Sequence, residues 1–259
     1  MTGPRPKKSL GQHFLVDRNI LGVIERLAQL DRDTVALEIG PGLGVLTEHL
    51  AERCDHVHAI EIDRRLEVAL GGVSERPNVT VHWGDALRLD LAALEPAPTA
   101  MVANLPYNVA TPIVAESLQG LPSLDRWCVM VQREVADRFF ASPSTKAYGA
   151  VSVVLQLAAE KTGFHPVART VFRPPPNVDS ALVAFRRKPL PPGFARIRAV
   201  VEAAFSHRRK TLANALELAG VVNRATAVAA LESIGLNAAV RAEALDPAAF
   251  VDLTRALPS

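Results

Sequence analysis

Thr34-Val35-Ala36-Leu37-Glu38-Ile39 runs directly into Gly40-Pro41-Gly42-Leu43-Gly44, and this join decides the fold. The first six residues read as a short buried strand, and the amphipathic run from Val45 to Arg53 that follows the glycines reads as a helix. A glycine-rich turn between a strand and a helix lets the backbone approach a nucleotide-like ligand closely. The spacing is GxGxG rather than the GxGxxG of dinucleotide sites, and no Gly-Lys-Ser/Thr of a P-loop follows.

Working outward, the next apolar segment, Val57 to Glu61, ends in a carboxylate 17 residues after Gly44. At that place in a doubly wound sheet an acid can accept both ribose hydroxyls. A third strand, Val79 to Trp83, leads to Gly84-Asp85-Ala86, where a second carboxylate can accept from an adenine amine. A fourth, Met101-Val102-Ala103, leads to Asn104-Leu105-Pro106-Tyr107. That tetrapeptide suits the holding of a planar exocyclic amine: an Asn oxygen and the Leu105 carbonyl accept the amine hydrogens, Pro106 fixes the turn, and the Tyr107 ring stacks on the base.

Each piece also has an ordinary reading: turn glycines, a surface Glu, an Asp or Asn capping the next helix, a space-filling Tyr. Their order along successive strands describes a pocket for an adenosine without phosphates, because the glycine loop holds no Lys or Arg. S-adenosylmethionine fits that pocket better than NAD or ATP.

The chain of 259 residues, 49% hydrophobic, is long enough for one large domain with a small one, and its composition excludes wholesale disorder. Cys54 and Cys128 have no metal-ligand spacing and read as packing residues in a reducing compartment, and no metal site is expected. Without a signal-peptide core or a membrane-length apolar run, a soluble cytoplasmic protein with no membrane partner is expected.

The net charge of +2 conceals an uneven distribution. From Arg186 to Lys210 eight basic side chains face one acid, Glu202, a local balance of +7, and Arg5, Lys7 and Lys8 form a second basic cluster. Two basic ends on an acidic body suggest a bound polyanion, although a solvated helix face has the same composition.

With these residues in hand, the chain resembles the ribosomal RNA adenine N6-dimethyltransferases, most closely the bacterial small-subunit (16S) type. The matching segments are Lys8-Ser9-Leu10-Gly11-Gln12-His13-Phe14-Leu15, Glu38 to Gly42, Ile60 to Asp63, Gly84 to Ala86, Asn104 to Tyr107, Phe172 to Ala181 and Phe205 to Leu212. The N-terminal motif, the Phe-Arg-Pro segment with Val178-Asp179-Ser180, and Arg208-Arg209-Lys210-Thr211 are specific; the glycine loop is widely shared. The family usually has Asn where this chain has His13, an imidazole that keeps one hydrogen bond but is bulkier.

The resemblance implies a Rossmann-like class I methyltransferase fold: α/β, a mostly parallel sheet with an antiparallel last strand, followed by a small all-helical C-terminal domain. The direct reading agrees. Helices are expected over Val109–Gln119, Arg133–Phe140 and Tyr148–Ala159, and strands over Trp127–Gln132 and Asp179–Arg186. Lys188-Pro189-Leu190-Pro191-Pro192-Gly193 reads as a linker, dividing a methyltransferase domain (1–188) from a helical RNA-binding domain (189–259).

The implied site has Asn104, Leu105, Pro106 and Tyr107 on the target base with Phe172 as a second stacking ring. S-adenosylmethionine is held by Gln12, His13, Leu15, Gly40, Gly42, Gly44, Glu61, Ile62, Asp85, Ala86 and Asn104. Lys7, Lys8 and a basic helix at Arg208, Arg209 and Lys210 grip RNA phosphates. The implied partner is 16S rRNA in an immature small subunit, acted on by a monomer. A nucleic-acid-binding assembly factor in which methylation is incidental is the competing class; the intact Asn104–Tyr107 set and Glu61 favour an enzyme. Methylation of large-subunit rRNA is the competing activity, against which Val178-Asp179-Ser180 and Arg208 to Thr211 argue.

Overall fold

The computed structural model describes residues 6–7, 11–207 and 209–258; Arg5, Lys8 and Arg208 lie outside them. In chain order the elements are β1 (Phe14–Leu15), α1 (Asn19–Ala28), β2 (Val35–Ile39), α2 (Val45–Ala51), β3 (His56–Glu61), α3 (Glu67–Ser74), β4 (Val79–Trp83), β5 (Ala100–Asn104), α4 (Ala110–Gly120), β6 (Arg126–Gln132) and α5 (Arg133–Phe139). Then come α6 (Ala150–Ala158), β7 (Ala159–Val167), β8 (Phe172–Arg173), β9 (Ser180–Arg187), α7 (Phe194–Ser206), α8 (Leu212–Leu218), α9 (Arg224–Ser233) and α10 (Pro247–Ala256).

The chain packs as two compact units, 1–136 with 161–187, and 137–160 with 188–259. The segment 137–160, read from sequence as part of the first domain, groups with the C-terminal helices.

The first unit is built on a seven-stranded sheet in the order β4-β3-β2-β5-β6-β9-β7. The strands from β4 to β6 run parallel, and β9 pairs antiparallel with β6. Parallel strands covered on both faces need apolar side chains in both directions, which is why β2 is buried at every position. On one face Ile20, Leu21, Ile24 and Ala28 of α1, at helical spacing, close over Val102, Cys128, Met130 and Leu182. On the neighbouring strands Trp127 and Phe185 stand directly opposite and stack at 5.2 Å, with the indole N–H donating to Ser117 Oγ at 2.9 Å.

Toward the β4 edge three histidines meet. Pro96 carbonyl can only accept, so His58, 2.9 Å away through Nε2, carries its proton there and offers Nδ1 to His82 Nε2–H at 3.0 Å. His56 lies against His58 with ring centroids 4.5 Å apart.

The second unit is helical. Asn223 caps α9 by accepting from the Thr226 N–H at 2.9 Å, and Asp246 caps α10 by accepting from the Ala249 N–H at 2.8 Å, with Pro247 in its first turn. Tyr148 is fully buried: its hydroxyl donates to Leu245 carbonyl at 2.7 Å and its ring meets Phe205 edge-on. It lies ahead of α6 rather than inside it. None of the helices of the described residues is long and apolar enough to cross a membrane.

Candidate active site

In the sheet order, β2 has β3 on one side and β5 on the other. The chain thus leaves β2 in both directions, and the C-terminal ends of these strands frame a crevice. Four of the expected residues arrive there for that reason alone: Gly40 after β2, Glu61 at the end of β3, Asp85 after β4 and Asn104 at the end of β5. They line one cavity of about 190 Å³. Gln12, His13, Leu15, Gly42, Ile62, Ala86, Leu105, Pro106 and Tyr107 line it too.

The glycine loop is held by its neighbours. Gly40 donates its N–H to Ile60 carbonyl at 2.9 Å, and at φ +76° a Cβ would stand 3.3 Å from the Pro106 ring. Gly42, at φ +61°, would bring a Cβ to 3.0 Å from Phe14, and its N–H donates to Glu61 Oε2 at 3.3 Å. Side chains at these two positions would be strained in backbone and crowded in space. The loop therefore packs directly on the Asn104–Tyr107 turn.

Residues 11–15 form a strap across the same cavity. Its strand β1 pairs with β8, setting Phe14 opposite Arg173 and Leu15 opposite Phe172. Gln12 Nε2 donates to Asp63 Oδ2 at 3.0 Å, and Gln12 Oε1 accepts the Lys7 backbone N–H at 2.7 Å. His13 Nδ1 donates to Pro174 carbonyl at 2.9 Å, and its ring lies 5.4 Å from that of Tyr107. The strap's most consequential bond comes from Asn104, whose Nδ2 donates to the His13 carbonyl at 3.1 Å. With the amide nitrogen so fixed, the amide oxygen is oriented as the acceptor. Tyr107 hydroxyl lies 2.5 Å from Ser180 Oγ, tying the ring to the start of β9.

Burial raises the Glu61 carboxyl above its ordinary range, opposed by the N–H groups of Asp63 and Gly42 that donate to it. Glu38, 1% exposed, is pushed up to about 8 by burial; the Thr47 hydroxyl offsets part of this and the Glu61 charge adds to it. Glu38 Oε2 has no hydrogen-bond partner among the described residues. Asp63 is held well below the usual carboxylate range, first by Arg65 and then by Gln12, burial opposing. Asp85 Oδ1 accepts the Leu87 N–H at 3.0 Å, an Asx turn that leaves the carboxylate at the cavity wall.

Two expected residues are placed elsewhere. Gly44, at φ +79°, begins α2, where a Cβ would meet Val73 and Leu70 of α3, and it does not line the cavity. Phe172, 3% exposed, sits in the apolar core opposite Leu15, so its ring is not presented to the cavity. Arg209 and Lys210 are not helical either. α7 stops at Ser206, whose hydroxyl donates back to Ala203 carbonyl, and exposed Arg209 and Lys210 occupy the turn before α8. Lys7 is exposed, and Lys8 and Arg208 lie outside the described residues.

The sequence reading missed Glu38 as a site residue, although a lone acid in an apolar strand is a signal in itself. It also missed Asn108 at the cavity and Ser180 behind Tyr107.

The cavity combines buried carboxylates, an unpartnered Glu38 oxygen and a glycine cradle that a Cβ would fill; no Lys or Arg lines it among the described residues. Those residues suit a cationic, phosphate-free adenosine derivative, and S-adenosylmethionine fits them.

Residues 4–257 match the model of the family described as ribosomal RNA adenine dimethylase. A ribosomal RNA small subunit methyltransferase A from Rubrobacter xylanophilus is 47% identical over 254 residues, covering 97% of this chain and 95% of the relative. The protein of the same name from Thermobifida fusca is 46% identical over 265 residues, covering 99% and 92%. Among solved structures, a dimethyladenosine transferase from Plasmodium falciparum superposes with a TM-score of 0.77 at 26% identity, over 93% of this chain and 96% of that one. The 23S rRNA methyltransferase ErmE superposes with a TM-score of 0.67 at 30% identity, over 94% and 99%. Sheet order, cavity and near full-length similarity agree: the chain belongs to the ribosomal RNA adenine dimethylase family.

Proposed function

We propose that the protein transfers methyl groups from S-adenosylmethionine to N6 of two adjacent adenosines in a hairpin loop near the 3′ end of 16S rRNA. The product is N6,N6-dimethyladenosine, made on an immature small subunit in the cytoplasm by a monomeric enzyme. When bound, S-adenosylmethionine supplies an activated methyl group, so the chain has mainly to position and to exclude water. Glu61 takes the ribose hydroxyls and Asp85 the adenine amine of the cofactor, with Gly40 and Gly42 giving room and Gln12, His13 and Leu15 closing the strap. Asn104 and the Leu105 carbonyl hold the target N6 and Tyr107 stacks on its base. That base must be unpaired or flipped, because N6 is engaged in a duplex.

The observation that carries this reading is the bond from Asn104 Nδ2 to the His13 carbonyl, which orients the amide oxygen as acceptor within the cofactor cavity. The sheet-bearing part of 1–188 is the methyltransferase domain and 189–259 supplies RNA binding, with Lys7, Lys8, Arg208, Arg209 and Lys210 on phosphates. Transfer of labelled methyl groups to immature small subunits, naked 16S rRNA and large subunits in parallel tests it. Label in small subunits, recovered by mass spectrometry as N6,N6-dimethyladenosine, is expected. Label confined to large subunits, or a product stopping at the monomethyl stage, would overturn it.

A further inference from the structure

The contacts behind Tyr107 lead outward to a charged surface on the same unit. Ser180, which bonds the Tyr107 hydroxyl, follows Asp179. Asp179 Oδ1 accepts from Arg169 Nε at 2.7 Å, and its carbonyl accepts the Arg133 N–H at 2.9 Å. The Arg133 guanidinium stands 4.8 Å from the centre of the Phe164 ring, and Lys161 Nζ stands 4.7 Å from the same centre. Phe164 is a half-buried aromatic on β7, the last strand of the sheet. The linked group thus brings the exposed Arg133, Lys161 and Arg169 together with Asp179, beginning one residue from the serine that bonds the Tyr107 hydroxyl.

The Phe164 ring gathers the two cations through its quadrupole, and exposed cations gathered at one place suit a polyanion. Capture of a flipped base also requires the backbone beside that base to be held, since phosphate contacts fix register. Of the described basic residues read from sequence as the RNA grip, Arg209 and Lys210 belong to the other unit and Lys7 to this one.

We propose that Arg133, Lys161 and Arg169, organised around Phe164 and Asp179, form a second RNA-binding surface that grips phosphates of the single strand carrying the target adenosine. This rests on the RNA-methylating function proposed above. Phe164 places the cations, Asp179 couples Arg169 to the start of β9, and the surface sets the approach of the strand to Tyr107.

The test uses the full chain carrying Lys161→Gln with Arg169→Gln, and separately Phe164→Leu, which keeps an apolar side chain but removes the ring. Binding to naked 16S rRNA is measured against salt, S-adenosylmethionine affinity by calorimetry, and methylation as KM and kcat. The double variant is expected to bind RNA about three- to tenfold more weakly per cation removed, with a log–log salt slope flatter by about 0.7 for each single-strand phosphate no longer neutralised. KM for RNA rises, kcat at saturating RNA stays within about twofold, and cofactor affinity is unchanged. Phe164→Leu moves RNA affinity in the same direction by less, and Lys161→Arg with Arg169→Lys restores the slope. Unaltered RNA affinity and slope in the double variant overturn the proposal, as does weakened binding to assembled subunits with naked RNA binding intact, which would mean that the surface meets protein. Failure of the wild-type chain itself to bind or methylate RNA would instead overturn the function on which the proposal rests.

Discussion

Asn104 gives its side-chain N–H to the backbone carbonyl of His13, 3.1 Å away and ninety-one positions earlier in the chain. The group that would accept the target amine is thereby aligned by the strap that covers the cofactor cavity. The bond uses the backbone of His13, so the exchange of Asn for His in the side chain leaves it intact. Asn104→Ala is expected to cut kcat at least about a hundredfold while RNA affinity, set by phosphate contacts, changes little. Single-turnover methylation alongside RNA binding separates the two; full turnover in the variant would remove Asn104 from the mechanism.

Glu61 has two duties, holding the Gly42 and Asp63 N–H groups and facing the cavity. A hydrogen bond to a charged group contributes roughly 1.5–3 kcal/mol. Glu61→Ala should therefore weaken S-adenosylmethionine binding by about tenfold or more. Calorimetry on the purified variant reads this directly, and unchanged affinity would exclude the ribose role.

Glu38 gives the protein a pH dependence of its own. Its folded pKa, about 8, lies above the ordinary 4.5, so the unfolded chain releases this proton first as pH rises. The associated stability is present below 4.5 and is lost progressively toward 8. Glu38→Gln, which cannot ionise, should resist urea better than the wild type at pH 8 and lose that advantage near pH 4.5. A difference that does not change with pH would show that Glu38 is ionised in the folded protein.

The His56, His58 and His82 cluster acts in the opposite sense. Burial first, and in two of the three a neighbouring imidazole, lowers all three below 6.5, while Glu95 and Asp55 oppose this at His58 and His56. Their contribution is present above pH 6.5 and is lost as pH falls through the folded values, because protonated His58 cannot accept from His82. His82→Gln, whose amide N–H can still donate to His58, should flatten the loss of stability as pH falls below 6.5. Urea titrations across that range check it.

Replacing Arg208, Arg209 and Lys210 together with Ala should reduce the salt slope of RNA binding by about 0.7–0.9 for each phosphate left without its cation, with cofactor affinity unchanged. An unaltered slope would mark the run as a solvated turn.

The sheet was legible where physics leaves little choice. Strands covered on both faces must be continuous apolar runs, and the polar residues that end β3 and β5 and that follow β4 stand out against them. What escaped reading had weak or misleading local signals. β7 follows α6 without a break, and its Glu160-Lys161-Thr162 start is exposed and polar, so the helix pattern has no visible end before it. β1 and β8 are two residues each and exist only because they pair across the chain. Phe172 is expected as a stacking ring only from the family resemblance, whereas its burial is set by that long-range pairing.

The helical unit is not a contiguous stretch of chain: its pieces, 137–160 and 188–259, are separated by 161–187. A fragment expressed from residue 189 onward would lack Tyr148 and leave the Leu245 carbonyl and the Phe205 ring without the partner they have in the intact protein. Modularity drawn at the proline-rich linker is therefore misleading. The helical unit cannot be excised, swapped or grafted as a C-terminal tail, and a chimera that exchanges it must carry residues 137–160 along or rebuild the surface that Tyr148 covers.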